Sequence, residues 1–355
     1  MSELPCDPRE LRRELRRRLE AYGYRVGEDW TLAFADAPRA VLARQARRFH
    51  GACEAGGVER HFAAPSEVDP LRMRPVLWPV DGRREGRIFR CVRSFWSAPT
   101  SLGFGRRMRF LLWDDANGKV MGVLGLTDPV VGLGVRDRHI GWSKEERTRR
   151  LYHVMSAHLL GAIPPYNRFR VAKLVALLAG SEVVREHFRE RYGGRPSALL
   201  GAVRPPILAM VDAMGAFGKS AIYTRLRGWR FVGYTRGNSH FHLVVEDVYA
   251  VFLRALECAG EEAVLRRNRF GHGPNWRIRV LRRGAEVMGV PFRRLLAHGL
   301  PRGYYVYPLL RNWKAFLRGE DERVEPLPLE GGALIAYWRA RWLYPYLYRR
   351  ALLSP

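Results

Sequence analysis

Apolar residues in the first sixty positions recur at helical spacing. Asp7 followed by Pro8 marks a helix start, and Leu11, Leu15, Leu19 and Tyr22 form one stripe that ends at Gly23. Arg12, Arg13, Arg16 and Arg17 surround that stripe, reading first as a solvated helix face and second as a nucleic-acid-binding arm. A second helix is expected from near Pro38 past Val41, Leu42, Gln45 and Phe49 to Gly56-Gly57. Between 63 and 90, Pro65, Pro70, Pro75 and Pro79 interrupt both helical and strand periodicity, so an irregular connector is expected there.

Further along, two apolar runs, Arg107 to Trp113 and Lys119 to Leu126, flank Asn117-Gly118, the dipeptide of a tight hairpin turn. Ser143 and Glu146 form a capping box, after which Leu151, Val154, Met155, His158 and Leu159 fit a helix, with a strand leading to Pro164 as the alternative for part of that run. Residues 173 to 191 read as helical with a break at Gly180-Ser181, and Gly193-Gly194 lies past the end. Strand-like runs return at 207–213 and 229–235, with a short helix expected at 218–226 between them. The order predicts an α+β fold, a mixed sheet with flanking helices plus a helical N-terminal region. The expected division is a helical region over 1–62, a connector over 63–92, a central α+β domain over 93–260 and a C-terminal extension over 261–355.

Charge adds a partner to this picture. Lysine and arginine total 61 against 35 acidic residues, a formal charge of +26, which attracts a polyanion. Only five of the basic residues are lysines, and the arginine fork suits phosphates and stacks on bases. Nucleic acid is therefore the expected partner, DNA before RNA. Cys6, Cys53, Cys91 and Cys258 are scattered without a paired spacing, which disfavours a zinc cage or a disulfide framework and points to a reduced protein. The start, MSELPCDPRELRRELRRR, has no apolar leader core and no later run has the length of a membrane span, so a cytoplasmic protein without membrane partners is expected.

Candidate chemistry concentrates in a few motifs. In RDRHIGWS, Asp137 and His139, with Asp128 and Trp142, supply an acid, a base and a stacking wall, or else a structural Arg-Asp network. Tyr223, His240 and His242 are further candidates; a His-Phe-His on a strand places two imidazoles on one face, where Asp212 or Glu246 could complete a metal site. Two histidines alone do not make one, and no metal is assigned. Gly218-Lys219-Ser220 lacks the upstream glycine of a Walker loop, because Ala213 stands there, so Lys219 and Ser220 are read as phosphate contacts at a helix start. IPPY at 163–166 resembles a DNA amino-methyltransferase motif, but Ile163 cannot bond a target amine. Arg106, Arg107 and Arg109 beside the hairpin, and Arg225, Arg227 and Arg236 near the later strands, are candidate nucleic-acid backbone contacts. Trp276 and Arg277, ending FGHGPNWR, suit an anion or a stacked base. Near the C-terminus, Tyr337, Trp338, Trp342, Tyr344, Tyr346 and Tyr348 alternate with arginines, read first as docking onto the core.

Several of these stretches, in order, carry a resemblance. Trp96-Ser97-Ala98-Pro99, GFGRRMRFLLWD at 103–114, DPV at 128–130, RDRHIGW at 136–142, GAIPPYN at 161–167, GKSAIYTRL at 218–226, GYTRGNSHFH at 233–242 and FGHGPNWR at 270–277 resemble the DruA family of the Druantia anti-phage defence system. The resemblance implies a role in defence beside other system proteins such as a large helicase. The order of elements is also similar to the second half of an N-acetyltransferase-like (GNAT) fold, in which a helix after the central strand receives a pyrophosphate. Here the matching loop, Asn167 to Ala172, has no glycine, and no cofactor is assigned. The rival functions are a GNAT-like transferase using Tyr223, His240 and His242, and a scaffold for other defence components.

Overall fold

The computed structural model describes residues 7–50, 57–100, 103–196, 201–261, 263 and 276–353. In chain order its helices are α1 (Pro8–Ala21), α2 (Pro38–His50), α3 (Arg83–Val92), α4 (Gly134–Ile140), α5 (Lys144–Arg150), α6 (Val171–Leu178), α7 (Glu182–Tyr192), α8 (Glu246–Cys258), α9 (Trp276–Val287), α10 (Phe292–Leu296), α11 (Trp313–Arg318), α12 (Gly331–Trp338) and α13 (Tyr344–Leu353). The strands are β1 (Tyr24–Val26), β2 (Leu32–Phe34), β3 (Pro75–Pro79), β4 (Arg107–Asp114), β5 (Lys119–Thr127), β6 (Val154–Ala162), β7 (Met210–Met214), β8 (Arg230–Tyr234) and β9 (Gly303–Pro308). The chain divides into two compact units, the first built from residues 1–49, 97–99 and 236–302, the second from 50–96, 100–235 and 303–355.

In unit one, the Asp7 carboxylate caps α1 by accepting from the Arg9 N–H at 2.8 Å, and Leu11, Leu15 and Leu19 are buried as their spacing predicts. They share a core with Tyr24, Trp30, Val248, Phe252, Leu281 and Leu295, so the N-terminal stripe is sealed by helices α8 to α10. Glu14 binds Arg18 and Arg254, which ties α1 to α8.

Unit two is built on a seven-stranded sheet in the order β3-β4-β5-β6-β7-β9-β8. Every pairing is antiparallel except β6 with β7, so the α+β class and the mixed sheet expected from the sequence are what the fold shows. The β4–β5 hairpin turns through Asn117-Gly118, where Gly118 has φ +68. Helix α6 packs on β5 and β6, and its apolar side chains, Val171, Leu174, Val175, Leu177 and Leu178, are buried. The break at Gly180-Ser181 separates α6 from α7.

Four local expectations change. The proline-rich connector contains β3 and α3: β3 is an edge strand with prolines at both ends, which removes few ladder hydrogen bonds. The run after the capping box follows the strand alternative, with α5 stopping at Arg150 and β6 running from Val154. Residues 218–226 form successive turns and not a helix, since Gly218 (φ +61) and Arg225 (φ +56) are left-handed. Their free carbonyls are collected by one ammonium: Lys173 Nζ donates to Ala221, Ile222 and Thr224 at 2.7, 3.0 and 2.8 Å. Cys91 and Cys258 are each disulfide-bonded, against the expected reduced thiols.

Removing the Lys173 ammonium leaves those three carbonyls without their shared donor. Lys173→Met is expected to destabilise the protein by about 3 kcal/mol in chemical denaturation, and a loss below about 0.5 kcal/mol would contradict this role.

Candidate nucleic-acid interface

The Arg-Asp-rich loop resolves into a structural anchor. Asp137, on α4, accepts hydrogen bonds from the Leu133 N–H, Arg136 Nε, Trp142 Nε1 and Arg147 Nη1, at 3.0, 3.0, 3.1 and 3.0 Å. Burial by itself raises its pKa, but the Arg136 guanidinium and these donors outweigh it and hold the carboxylate below its ordinary range. Arg136 is fully buried and also donates to the carbonyls of Val130 and Val131 at 2.8 and 2.9 Å. His139 lies half-buried 5.8 Å from the Trp313 ring, its pKa lowered by burial and then by Lys314 and Arg230. Asp128 is occupied by Arg106.

Tyr223 sits in the core between Trp229 and Tyr305, with ring centroids 4.5 and 4.7 Å away, and burial pushes its hydroxyl pKa up. Among the described residues no hydrogen bond links Asp137, His139 and Tyr223. In unit one, His240 stacks on Phe241 at 5.3 Å, while His242 is buried and donates from Nε2 to the Leu295 carbonyl at 2.7 Å. His242 lies on a 3-10 turn, Phe241–Leu243, that His240 precedes as its cap residue, and neither is on the expected strand. Among the described residues no three His, Cys, Asp or Glu side chains gather as metal ligands. The buried carboxyl missed as a feature in its own right is Asp212 on β7, which accepts from Ser156 Oγ and from Tyr304 OH at 2.7 Å; burial raises its pKa. An acid inside the apolar run 207–213 was its only sequence signal.

The basic residues separate into spent and unspent. Arg106 binds Asp128 at 2.8 Å and lies over the Tyr152 ring at 4.3 Å, so it is an internal brace and not a free surface contact. Arg109 on β4 lies 5.4 Å from the Phe89 ring of α3, whose Arg83, Arg87 and Arg90 share one helical face by their i, i+4, i+7 spacing, and Arg107 is exposed on the same strand. Arg83, Arg87, Arg90 and Arg109 line a concave space of about 570 Å³, with Gly86 of α3 between them. The pKa of Arg109 is lowered by burial and by the like charges of Arg107, Arg90 and Arg191. Asp81 is the one carboxylate lining that space, and it pairs with Arg191 at 3.5 Å. Sequence reasoning missed the α3 arginines because the prolines before them masked the helix.

Lys219 is exposed with Nζ 4.5 Å from the Phe231 ring, and the Ser220 N–H donates to Tyr305 OH at 2.8 Å. Arg225 and Arg227 are exposed, the latter 5.8 Å over the Tyr337 ring. In unit one Arg236 is exposed, and Arg277 lies 5.3 Å from the Trp276 ring at the start of α9; residues 270–275 of that motif lie outside the described residues.

The helix after the central strand, on which the acetyltransferase comparison rests, is α6, and its N-terminal turn is covered. Trp338 Nε1 donates to the Arg170 carbonyl at 3.1 Å, Tyr346 stacks 5.2 Å from the Arg170 guanidinium, and Trp342 lies 4.2 Å from Lys173 Nζ. The C-terminal aromatic segment thus docks on its own core, over the start of α6.

Two variants test these assignments. Asp137→Ala leaves the buried Arg136 without its counter-charge and is expected to cost about 3 kcal/mol in urea denaturation, whereas a stable variant would reopen a chemical role. His242, with pKa lowered to about 3, and His298, lowered to about 4, stay neutral in the fold while the unfolded chain protonates near 6.5. Stability is therefore complete above pH 6.5 and lost as pH falls toward 3, and His242→Gln is expected to flatten that loss. An unchanged acid slope would contradict it.

No solved structure matches the chain. The family model described as Druantia protein DruA matches residues 45–319. The Druantia protein DruA of Escherichia coli (strain UMEA 4076-1) is 36% identical over 296 residues, covering 81% of this chain and 72% of that protein. A match spanning both the sheet and the arginine-lined cavity, together with that identity, leaves one conclusion: the chain belongs to the DruA family.

Proposed function

We propose that this DruA-family protein serves anti-phage defence by binding nucleic acid, with DNA as the first polymer, through the arginine face formed by α3 and β4. The observation that carries the reading is the concave cluster of Arg83, Arg87, Arg90 and Arg109, none of which has an ion-pair partner among the described residues. Four guanidiniums placed together, with the lining carboxylate Asp81 paired to Arg191 instead, repel one another, and a phosphate backbone relieves that repulsion while releasing its counterions. The cluster stands apart from Arg106, Arg136 and Arg147, whose charges are matched by Asp128 and Asp137. Surplus charge over the whole chain, +26, supports steering of the same polymer.

A transferase reading with an acyl cofactor has less support, because the start of α6 is closed by Trp338, Trp342 and Tyr346. Other defence proteins, a helicase among them, are the proposed partners. No helix among the described residues is long and apolar enough to cross a membrane.

The test is a salt titration of affinity for fluorescent single-stranded DNA, duplex DNA and RNA. The pair Arg87→Glu and Arg109→Glu is expected to weaken binding at least tenfold and to flatten the logarithmic salt slope by about one per lost phosphate contact. Unchanged affinity and slope would remove the assignment.

A further inference from the structure

The opposite end of the sheet from α3 carries a second feature. Strand β8 is the edge strand beyond β9, and two of its rings are open to solvent, Phe231 at 41% and Tyr234 at 49% exposure. Residues three apart on a regular strand point to opposite faces. Here the register shifts between Phe231, paired with Tyr305, and Gly233, paired with Tyr304, so Val232 is an extra residue. That bulge turns Tyr234 to the face of Phe231, and the two ring centroids lie 5.2 Å apart.

These rings rest on a fixed base. Phe231 lies 5.4 Å from Tyr305, which lies 4.7 Å from Tyr223, itself 4.5 Å from Trp229. Only the outer end of this aromatic series is exposed. The turn before it is held by the Gly303 N–H donating to the Gly218 carbonyl at 2.8 Å; a side chain at Gly303 would meet that oxygen at 2.7 Å. The same turn sets the Lys219 ammonium 4.5 Å from the Phe231 ring.

Charge decides between occupants. From Met214 to Thr235 the chain has Lys219, Arg225, Arg227 and Arg230 and no aspartate or glutamate. An added protein strand would gain from that excess only if it were acidic, and it would meet an interrupted ladder at the bulge. A single strand of nucleic acid offers both an unpaired base face and a phosphate.

We propose that Phe231 and Tyr234 form a stacking platform for unpaired nucleobases, with Lys219 contacting the adjoining phosphate. This rests on the nucleic-acid reading above and narrows it to single strands. The platform and the arginine cavity lie on different strands, β8 and β4, so each can be altered alone.

The experiment uses the full chain with a fluorescent single-stranded oligothymidylate, an abasic strand of equal length and charge, and a duplex. Phe231→Ala and Tyr234→Ala are each expected to weaken oligothymidylate binding about five- to one-hundredfold while leaving the abasic strand unaffected. Phe231→Trp is expected to keep wild-type affinity, which separates ring stacking from fold damage. If Phe231→Ala binds oligothymidylate like wild type, or loses the abasic strand equally, the platform is refuted while the arginine reading stands. A wild-type dimer that Phe231→Ala dissociates would assign the edge to a second copy and overturn the proposal. Absence of salt-dependent binding to any probe by the wild type would overturn both readings.

Discussion

The ammonium of Lys173 joins three pieces of chain that are remote in sequence. It stands in the first turn of α6, donates to three carbonyls of the 221–224 turn, and lies under Trp342 from the segment between α12 and α13. A buried cation is costly unless its donors are met, and burial lowers this one's pKa to about 8. Three carbonyls and an aromatic face meet that need, so the turn cannot relax without stranding the charge. The same contact fixes the chain that leads to Lys219 and β8, and it closes the end of α6.

The surplus positive charge is distributed by the same logic. Arg106, Arg136 and Arg147 are drawn inside by Asp128 and Asp137, where they brace loops against aromatic rings. Arg83, Arg87, Arg90 and Arg109 have no such carboxylate partners among the described residues and share a concave surface. A net charge of +26 does not by itself single out a surface, while the division between matched and unmatched guanidiniums distinguishes the α3 face from the braced loops.

Local rules carried much of the fold into the sequence. The Leu11, Leu15, Leu19 stripe, the Asn117-Gly118 turn and the Gly180-Ser181 break are each set by a few adjacent residues, and each appears in the structure. The failures came where distant chain decides. Pro75 and Pro79 read as breakers, yet an edge position tolerates them. Gly303–Pro308 enters the sheet between β7 and β8, a pairing that no local pattern announces. Residues 218–226 have helix-compatible composition, but Lys173 captures carbonyls that a helix would bond internally. For the same reason Arg107, Arg109 and Lys219 were legible as cations, whereas Arg83, Arg87 and Arg90 were hidden by a misread segment. Phe231 and Tyr234 become a pair only through a bulge.

Amide hydrogen exchange with and without saturating single-stranded DNA tests the central claim most directly, that the unmatched arginines of α3 and β4 hold nucleic acid. The account predicts slower exchange over 83–90 and 107–109 on binding, with the α4 loop around Asp137 unchanged. Bound DNA that leaves 83–90 and 107–109 unprotected, or protects only the C-terminal helices, would contradict it.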